Sequence, residues 1–137
     1  MATITKFEDL EIWQLARVQT NDFDKLVETT SLSKGFELRN QMNASSGSVM
    51  DCIAEGFERS GNSEFKNFLI IAKGSNSEFR SQLCRCVDRK HIVQEKFDVL
   101  YAKNVTLGNK MMSFITYLQN SGFKGQRYKT KDSSNNL

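Results

Sequence analysis

Apolar side chains recur along this chain at alternating steps of three and four residues, a spacing that aligns them on one face of an α-helix. Four segments carry the pattern, at about residues 9–28, 36–57, 63–90 and 95–121. Each would be about 30 to 40 Å long at about 1.5 Å per residue. The pattern therefore predicts four long helices, each with one buried stripe.

The members of each stripe follow from the spacing. In the first predicted helix they are Leu10, Trp13, Ala16, Thr20, Phe23 and Val27. In the third they are Phe65, Phe68, Leu69, Ala72, Ser75, Phe79, Leu83 and Cys86. The fourth helix has a heptad pattern made of Phe97, Leu100, Asn104, Leu107, Met111, Phe114 and Leu118.

Three short segments, at 29–35, 60–63 and 91–94, interrupt the helical pattern. In the middle one, Gly61 is suited to end the second helix, and Asn62 or Ser63 to cap the third. Connections this short make consecutive helices antiparallel. The predicted fold class is all-α, an antiparallel up-down-up-down four-helix bundle.

The second and third helices both have small residues near their middle. Residues 44–48 read Ala-Ser-Ser-Gly-Ser, and Gly74 and Ser75 lie in the third helix. Small side chains permit a close approach of two helices, so we predict tight packing of the second helix on the third. Because Gly and Ser have poor helix propensity, a break in the second helix is the alternative.

Asn104 is the one polar residue in the heptad of the fourth helix. A polar residue in such a seam can fix register or oligomeric state at a cost in stability. A partly exposed position would explain it equally well, and the sequence leaves both interpretations open.

Length and composition limit the class of protein. The chain has 137 residues, 39% of them hydrophobic, and no Pro to interrupt a helix. That length predicts one domain, residues 1–123, followed by a flexible basic tail, residues 124–137. No apolar run is long enough to span a membrane, and three cysteines are an odd number for a disulfide framework, so we expect a cytoplasmic protein.

The net charge of +3 originates in the tail. Residues 1–123 hold 15 Lys/Arg and 15 Asp/Glu, which cancel. The tail holds one acidic residue, Asp132, and four basic ones: Lys124, Arg127, Lys129 and Lys131. Such a tail either keeps the protein soluble or adds affinity for a polyanion.

The sequence offers little for catalysis or for a metal. His91 is the only histidine, and the Glu-x-x-His pairs of di-iron bundles are absent. Cys84 and Cys86 would point about 200° apart on a helix, so they cannot share a metal. We therefore expect a non-enzymatic protein without metal, cofactor or small-molecule substrate. Glu55 and Arg59 have the spacing of a helix ion pair.

A basic stripe runs along the third predicted helix. Lys66, Lys73 and Arg80 recur every seven residues, and three further cations lie near its end: Arg85, Arg89 and Lys90. Charged stripes are often solvated faces, and the alternative is a surface that contacts phosphates.

Several motifs together resemble a known family, the bacterial 23S rRNA intervening-sequence proteins, also called S23 ribosomal proteins. They are FEDLEIWQ at 7–14, IAEGF at 53–57 with Arg59, and the third-helix residues Glu64-Phe65, Phe68-Leu69, Ile71-Ala72, Gly74-Ser75, Glu78, Gln82 and Leu83. The motif residues to which we assign structural roles are Trp13, Ala54, Glu55, Gly56, Phe57, Arg59, Phe65, Gly74, Ser75 and Glu78.

The resemblance implies a small bundle encoded in some bacteria within insertions of the large-subunit rRNA gene. It also implies ring-like homopentamers, a role in nucleic-acid binding, and no catalytic residues. This chain departs from the family in its second helix. It has Asn43-Ala44 in place of a basic pair, and Met50-Asp51-Cys52 where Pro-Ser-Asn is usual. The departure weakens any RNA-binding role for that helix.

Two functional hypotheses follow. The first is a homo-oligomeric bundle that binds structured RNA through the stripe of the third helix and the basic tail. The second is a self-assembling protein interaction module without a nucleic-acid role. It is suggested by three apolar residues off the main stripes, Ile12, Phe36 and Ile70, which we expect to be exposed.

Overall fold

The computed structural model describes residues 3–120, and four long helices account for most of them. Helix α1 spans Glu11–Thr29, α2 Phe36–Glu58, α3 Asn62–Asp88 and α4 Gln94–Asn120. Two short 3₁₀ turns, Phe7–Asp9 and Ser31–Lys34, precede α1 and α2. The predicted all-α fold is confirmed. The predicted tail, residues 124–137, lies outside the described part of the chain.

The helices end in or near the predicted connecting segments, but the predicted capping residues of α3 do not cap it. Thr30 ends α1, and its hydroxyl accepts a hydrogen bond from the Leu32 amide at 3.2 Å. Gly61 precedes α3 with φ +109°, a conformation that favours glycine. The predicted side-chain cap of α3 is wrong, because Asn62 is already the first helical residue and Gly61 occupies the capping position.

Contacts between helices establish the antiparallel order. Ser48 and Ser75 join α2 to α3 through hydroxyl oxygens 2.9 Å apart. Two aromatic rings, those of Phe65 and Phe114, join α3 to α4 with centroids 5.4 Å apart. Glu11, at the start of α1, meets Lys110, near the end of α4. The chain therefore runs up, down, up and down around one axis.

A layer of buried polar side chains divides the core into two apolar clusters. One cluster surrounds Phe57 and Phe65, and the other surrounds Phe23 and Phe79. Between them lie six polar residues: Gln19, Ser45, Ser46, Asn76, Gln82 and Asn104. The layer crosses all four helices.

Asn104 lies at the centre of this layer and is fully buried, so the interpretation of a partly exposed position is wrong. Its amide nitrogen donates to Gln19 Oε1 at 2.8 Å and to Asn76 Oδ1 at 3.0 Å. The Asn76 amide in turn donates to the Asn104 backbone carbonyl at 3.1 Å. Because a buried polar group is costly without partners, this network specifies the alignment of α1, α3 and α4.

Other predicted stripe positions shift by one residue. Asn76 and Gln82 are buried, whereas the predicted Ser75 is only half-buried. Ile12, which we expected to be exposed, is 3% exposed and belongs to the core, so that prediction is wrong. Phe36 and Ile70 are exposed as predicted.

The small residues of α2 and α3 only partly explain their close packing. Helix α2 is continuous through residues 44–48, so the alternative of a break is wrong. A Cβ at Gly47 or Gly74 would meet nothing within 4 Å, and neither glycine is a point of close approach. The close approach is at Gly56, where a Cβ would lie 2.6 Å from the Phe68 Cβ.

Candidate nucleic-acid interface

The stripe predicted from the heptad spacing lies on the flank of α3 next to α4. The Arg80 guanidinium lies over the ring of Tyr101 of α4, 5.9 Å from its centroid. Lys73 and Lys66 follow toward the start of α3 at intervals of about 10 Å, from seven residues at about 1.5 Å each. None of the three forms an ion pair within residues 3–120. We call these residues, Lys66, Lys73 and Arg80, the α3 column.

A second set of cations with the same spacing lies on α4, and the sequence analysis missed it. We call Lys96, Lys103 and Lys110 the α4 column. Two of its members face α1 and form ion pairs there. Lys103 Nζ lies 3.1 Å from Asp22 Oδ2, and Lys110 Nζ lies 3.3 Å from Glu11 Oε1. The α4 column is thus largely neutralised within the bundle.

The other cations predicted for this surface do not extend the α3 column. Arg85 lies on the opposite flank of α3, where its guanidinium donates a hydrogen bond to Gln41 of α2. It lines an open polar groove of about 680 Å³ between α2 and α3. Arg89 and Lys90 are exposed in the turn after α3, where Lys90 adopts φ +64°. The tail cations, Lys124, Arg127, Lys129 and Lys131, lie outside the described residues.

Charge is divided unevenly between the two halves of the bundle. Residues 3–58, which contain α1 and α2, hold 5 Lys/Arg and 10 Asp/Glu, a net charge of −5. Residues 59–120, which contain α3 and α4, hold 10 Lys/Arg and 5 Asp/Glu, a net charge of +5. The described region is neutral as a whole and strongly dipolar, a feature that the total charge conceals.

Half of the ten motif residues, Glu55, Gly56, Phe57, Arg59 and Phe65, lie at or beside the turn between α2 and α3. The rings of Phe57 and Phe65 meet edge to face, with centroids 6.0 Å apart. Arg59 reaches both Glu55 and Glu64 at 3.9 Å, which confirms the predicted ion pair with Glu55. The Arg59 guanidinium also lies over the Phe68 ring at 5.2 Å. These residues stabilise the hairpin.

The remaining motif residues have less uniform surroundings. Trp13 packs on Phe7 with ring centroids 5.1 Å apart and carries the Arg17 guanidinium at 5.7 Å. Ala54 is half-buried and Gly74 exposed. Ser75 and Glu78 line the groove between α2 and α3.

The cysteines and the histidine occupy separate environments. Cys86 is buried in the core, and burial raises the pKa of its thiol to about 11, which keeps it protonated near neutral pH. Cys84 is half-buried. His91 Nδ1 lies 2.7 Å from Ser31 Oγ, where it joins the two loops at one end of the bundle. Within residues 3–120 no group of three or more His, Cys, Asp or Glu side chains could hold a metal ion.

Fold and surface together define the class: a small four-helix bundle with an aligned row of cations on one face. The chain belongs to the 23S rRNA-intervening sequence protein family, whose model matches residues 8–113. It is also similar in fold to a crystal structure from Bacteroides thetaiotaomicron VPI-5482, a protein of unknown function from the S23 ribosomal protein family. The two are 21% identical with a TM-score of 0.65, over 76% of this chain and 94% of the other.

The predicted family is thereby confirmed. A comparison with curated proteins found no match. Among the described helices, none is both long enough and apolar enough to cross a membrane.

Proposed function

We propose that this chain is a non-catalytic, cytoplasmic RNA-binding bundle that works as a homo-oligomer. The observation that carries the proposal is the α3 column, Lys66, Lys73 and Arg80, which meets no carboxylate in an ion pair within residues 3–120. Cations without a protein counter-charge can replace the counterions of a phosphate backbone, and the release of those counterions favours binding.

The family supports RNA as the polyanion. The description of its members, 23S rRNA-intervening sequence proteins, links them to ribosomal RNA. We extend that link to direct binding by this chain. The net charge of +5 over residues 59–120 gives the α3 and α4 half the sign that attracts RNA, whereas the α1 and α2 half would repel it.

Self-assembly would strengthen a surface that has only three aligned cations. Several copies in one closed assembly would present several α3 columns to one RNA, and avidity would raise the overall affinity. The oppositely charged halves, −5 and +5, favour contacts between unlike surfaces of neighbouring copies. The resemblance noted in the sequence implies five copies.

A salt titration of RNA binding tests the proposal. Fluorescence anisotropy with a labelled rRNA fragment should show that the logarithm of affinity falls linearly with the logarithm of salt, with a slope of about −2 to −3 per set of three phosphate contacts. No binding at about 50 mM salt, or an affinity unchanged at several times that concentration, would overturn it. A chain shortened to residues 1–122 should keep most of this slope if the bundle rather than the tail carries binding.

A self-assembling protein module without a nucleic-acid role is the second candidate. Phe36, Ile70 and Val93 are large apolar residues exposed on the bundle, and such residues often mark contacts between subunits. Sedimentation velocity across micromolar concentrations separates the outcomes. Assembly together with an absence of RNA binding would favour this candidate, and a monomer at all concentrations would argue strongly against it.

A further inference from the structure

We infer that the face formed by α3 and α4 recognises unpaired nucleotides, one of whose bases stacks on Tyr101. The inference rests on the proposed function and names the class of RNA that the same surface selects. It follows from the aromatic and apolar side chains that accompany the α3 column, which a surface for phosphates alone would not need.

Tyr101 has the position and support of a stacking platform. Its side chain is 38% exposed, although it lies beside the helix–helix contact of α3 and α4. The Phe97 ring packs against it from the previous turn of α4, with centroids 5.4 Å apart and planes inclined by 42°. The Arg80 guanidinium lies on the ring at 5.9 Å. Tyr101 is therefore held on two sides and still offers ring surface next to a cation.

Two exposed apolar residues lie on the same face. Ile70, which is 51% exposed, lies on α3 between Lys66 and Lys73. Met112, which is 46% exposed, follows Tyr101 on α4 by eleven residues, about three helical turns, and so shares its side of the helix. In the α3 column, Ile70 thus lies between Lys66 and Lys73, and the Tyr101 ring lies beside Arg80. Both side chains can make favourable contacts with base surfaces.

A surface that combines cations with aromatic and apolar side chains favours unpaired RNA over an RNA duplex. An RNA duplex presents phosphates, sugars and a shallow minor groove, and its base faces are stacked inside the helix. Unpaired nucleotides in loops and bulges expose those faces, which stack on aromatic side chains while basic residues follow the backbone. A duplex would offer few base faces to the exposed side chains of Tyr101, Ile70 and Met112. Unpaired bases would offer these side chains larger contact surfaces.

Binding of two labelled RNAs by the full chain tests the inference. One is a hairpin with an unpaired loop, and the other is a perfect duplex with the same number of phosphates. We expect the wild-type protein to bind the hairpin more tightly than the duplex. Tyr101→Leu should weaken hairpin binding about tenfold and leave duplex binding unchanged, since one stacked base contributes roughly that much. Tyr101→Trp should preserve the preference.

Tyr117→Leu is the matched control. Tyr117 is also an exposed tyrosine of α4, but it lines a groove with Glu11 and Lys110 on the side facing α1. Circular dichroism melting curves should show that all variants remain folded, because the substituted rings are exposed. The control should bind both RNAs as the wild type does.

The outcomes separate the inference from the proposed function. Salt-sensitive binding of both RNAs with equal affinity, unaffected by Tyr101→Leu, would overturn the stacking inference and leave RNA binding intact. Equal losses for both RNAs in Tyr101→Leu would also overturn it, because the ring would then support the surface in general. If neither RNA binds at low salt, both proposals fail.

Discussion

The two columns of cations on α3 and α4 have the same spacing and opposite environments. Lys103 and Lys110 of the α4 column pair with Asp22 and Glu11 of α1, whereas the α3 column faces no acidic helix. The same heptad spacing thus gives two different surfaces. On α4 two lysines form ion pairs with α1, and on α3 the cations form no ion pair within residues 3–120. The difference is set by the neighbouring helix, so tertiary structure determines which basic stripe forms ion pairs and which does not.

The largest expected effect concerns the polar layer that aligns the helices carrying both columns. Asn104→Leu should lower the free energy of unfolding by about 2 kcal/mol, because it removes the donor to Gln19 Oε1 and leaves that buried oxygen unsatisfied. Asn76 Oδ1 loses one of two donors and keeps Gln19 Nε2. Urea denaturation measures this change. Asn109→Leu, an exposed substitution on the same helix, should change stability by less than about 0.5 kcal/mol.

An Asn104→Leu variant as stable as the wild type would contradict the assigned role of the layer. It would show that the apolar clusters alone keep α3 and α4 in register.

Neutralising one column at a time compares their roles in RNA binding directly. Replacement of Lys66, Lys73 and Arg80 by Gln should weaken binding by about tenfold or more and reduce the salt slope by about 2 to 3. Replacement of Lys96, Lys103 and Lys110 by Gln removes the same amount of charge. We expect it to weaken RNA binding much less than the replacement of the α3 column. Equal losses from the two triple variants would mean that only the total charge matters.

Removing the acidic partners should make the α4 column resemble the α3 column. The double variant Glu11→Gln with Asp22→Asn releases Lys110 and Lys103 from their ion pairs. We expect RNA affinity to rise about threefold and the salt slope to steepen by as much as about 2.

Glu37→Gln with Asp51→Asn provides the control, because it changes the net charge equally on α2, which carries neither column. A rise as large in this control would show a general charge effect instead of release of particular lysines.

The smallest expected effect is the loss of stability when one ion pair of the α4 column is broken. Asp22→Asn should lower the free energy of unfolding by about 0.5 kcal/mol, since it breaks an exposed ion pair. Lys73→Gln, in a position without an ion pair, should change it by less than that. Urea denaturation of both variants in one buffer makes the comparison. A larger loss from Lys73→Gln would reveal a structural partner for this lysine.

The sequence predicted the four helices because their apolar periodicity is regular and no proline interrupts them. It did not predict the burial of Gln19, Asn76 and Gln82. Polar residues beside a stripe are ordinarily read as outward-facing, and only their mutual hydrogen bonds make burial favourable. Asn104 was recognised because it interrupts a heptad.

Periodicity along a single helix also predicted only part of the candidate site. The heptad spacing identified Lys66, Lys73 and Arg80. Nearness in sequence added Arg85, which lies five residues beyond Arg80, about 140° around the helix, and contacts Gln41 of α2. The α4 column has an equally regular spacing. Its neutralisation depends on which helix lies opposite, which periodicity alone does not give.

Lysine footprinting tests the central claim most directly, because it reports both columns in one experiment. The full protein is treated with an amine-reactive ester, with and without a saturating RNA hairpin, and each lysine is quantified by mass spectrometry. The account predicts that RNA protects Lys66 and Lys73 and leaves the reactivity of Lys103 and Lys110 unchanged. Protection of Lys103 and Lys110 without protection of Lys66 and Lys73 would contradict it.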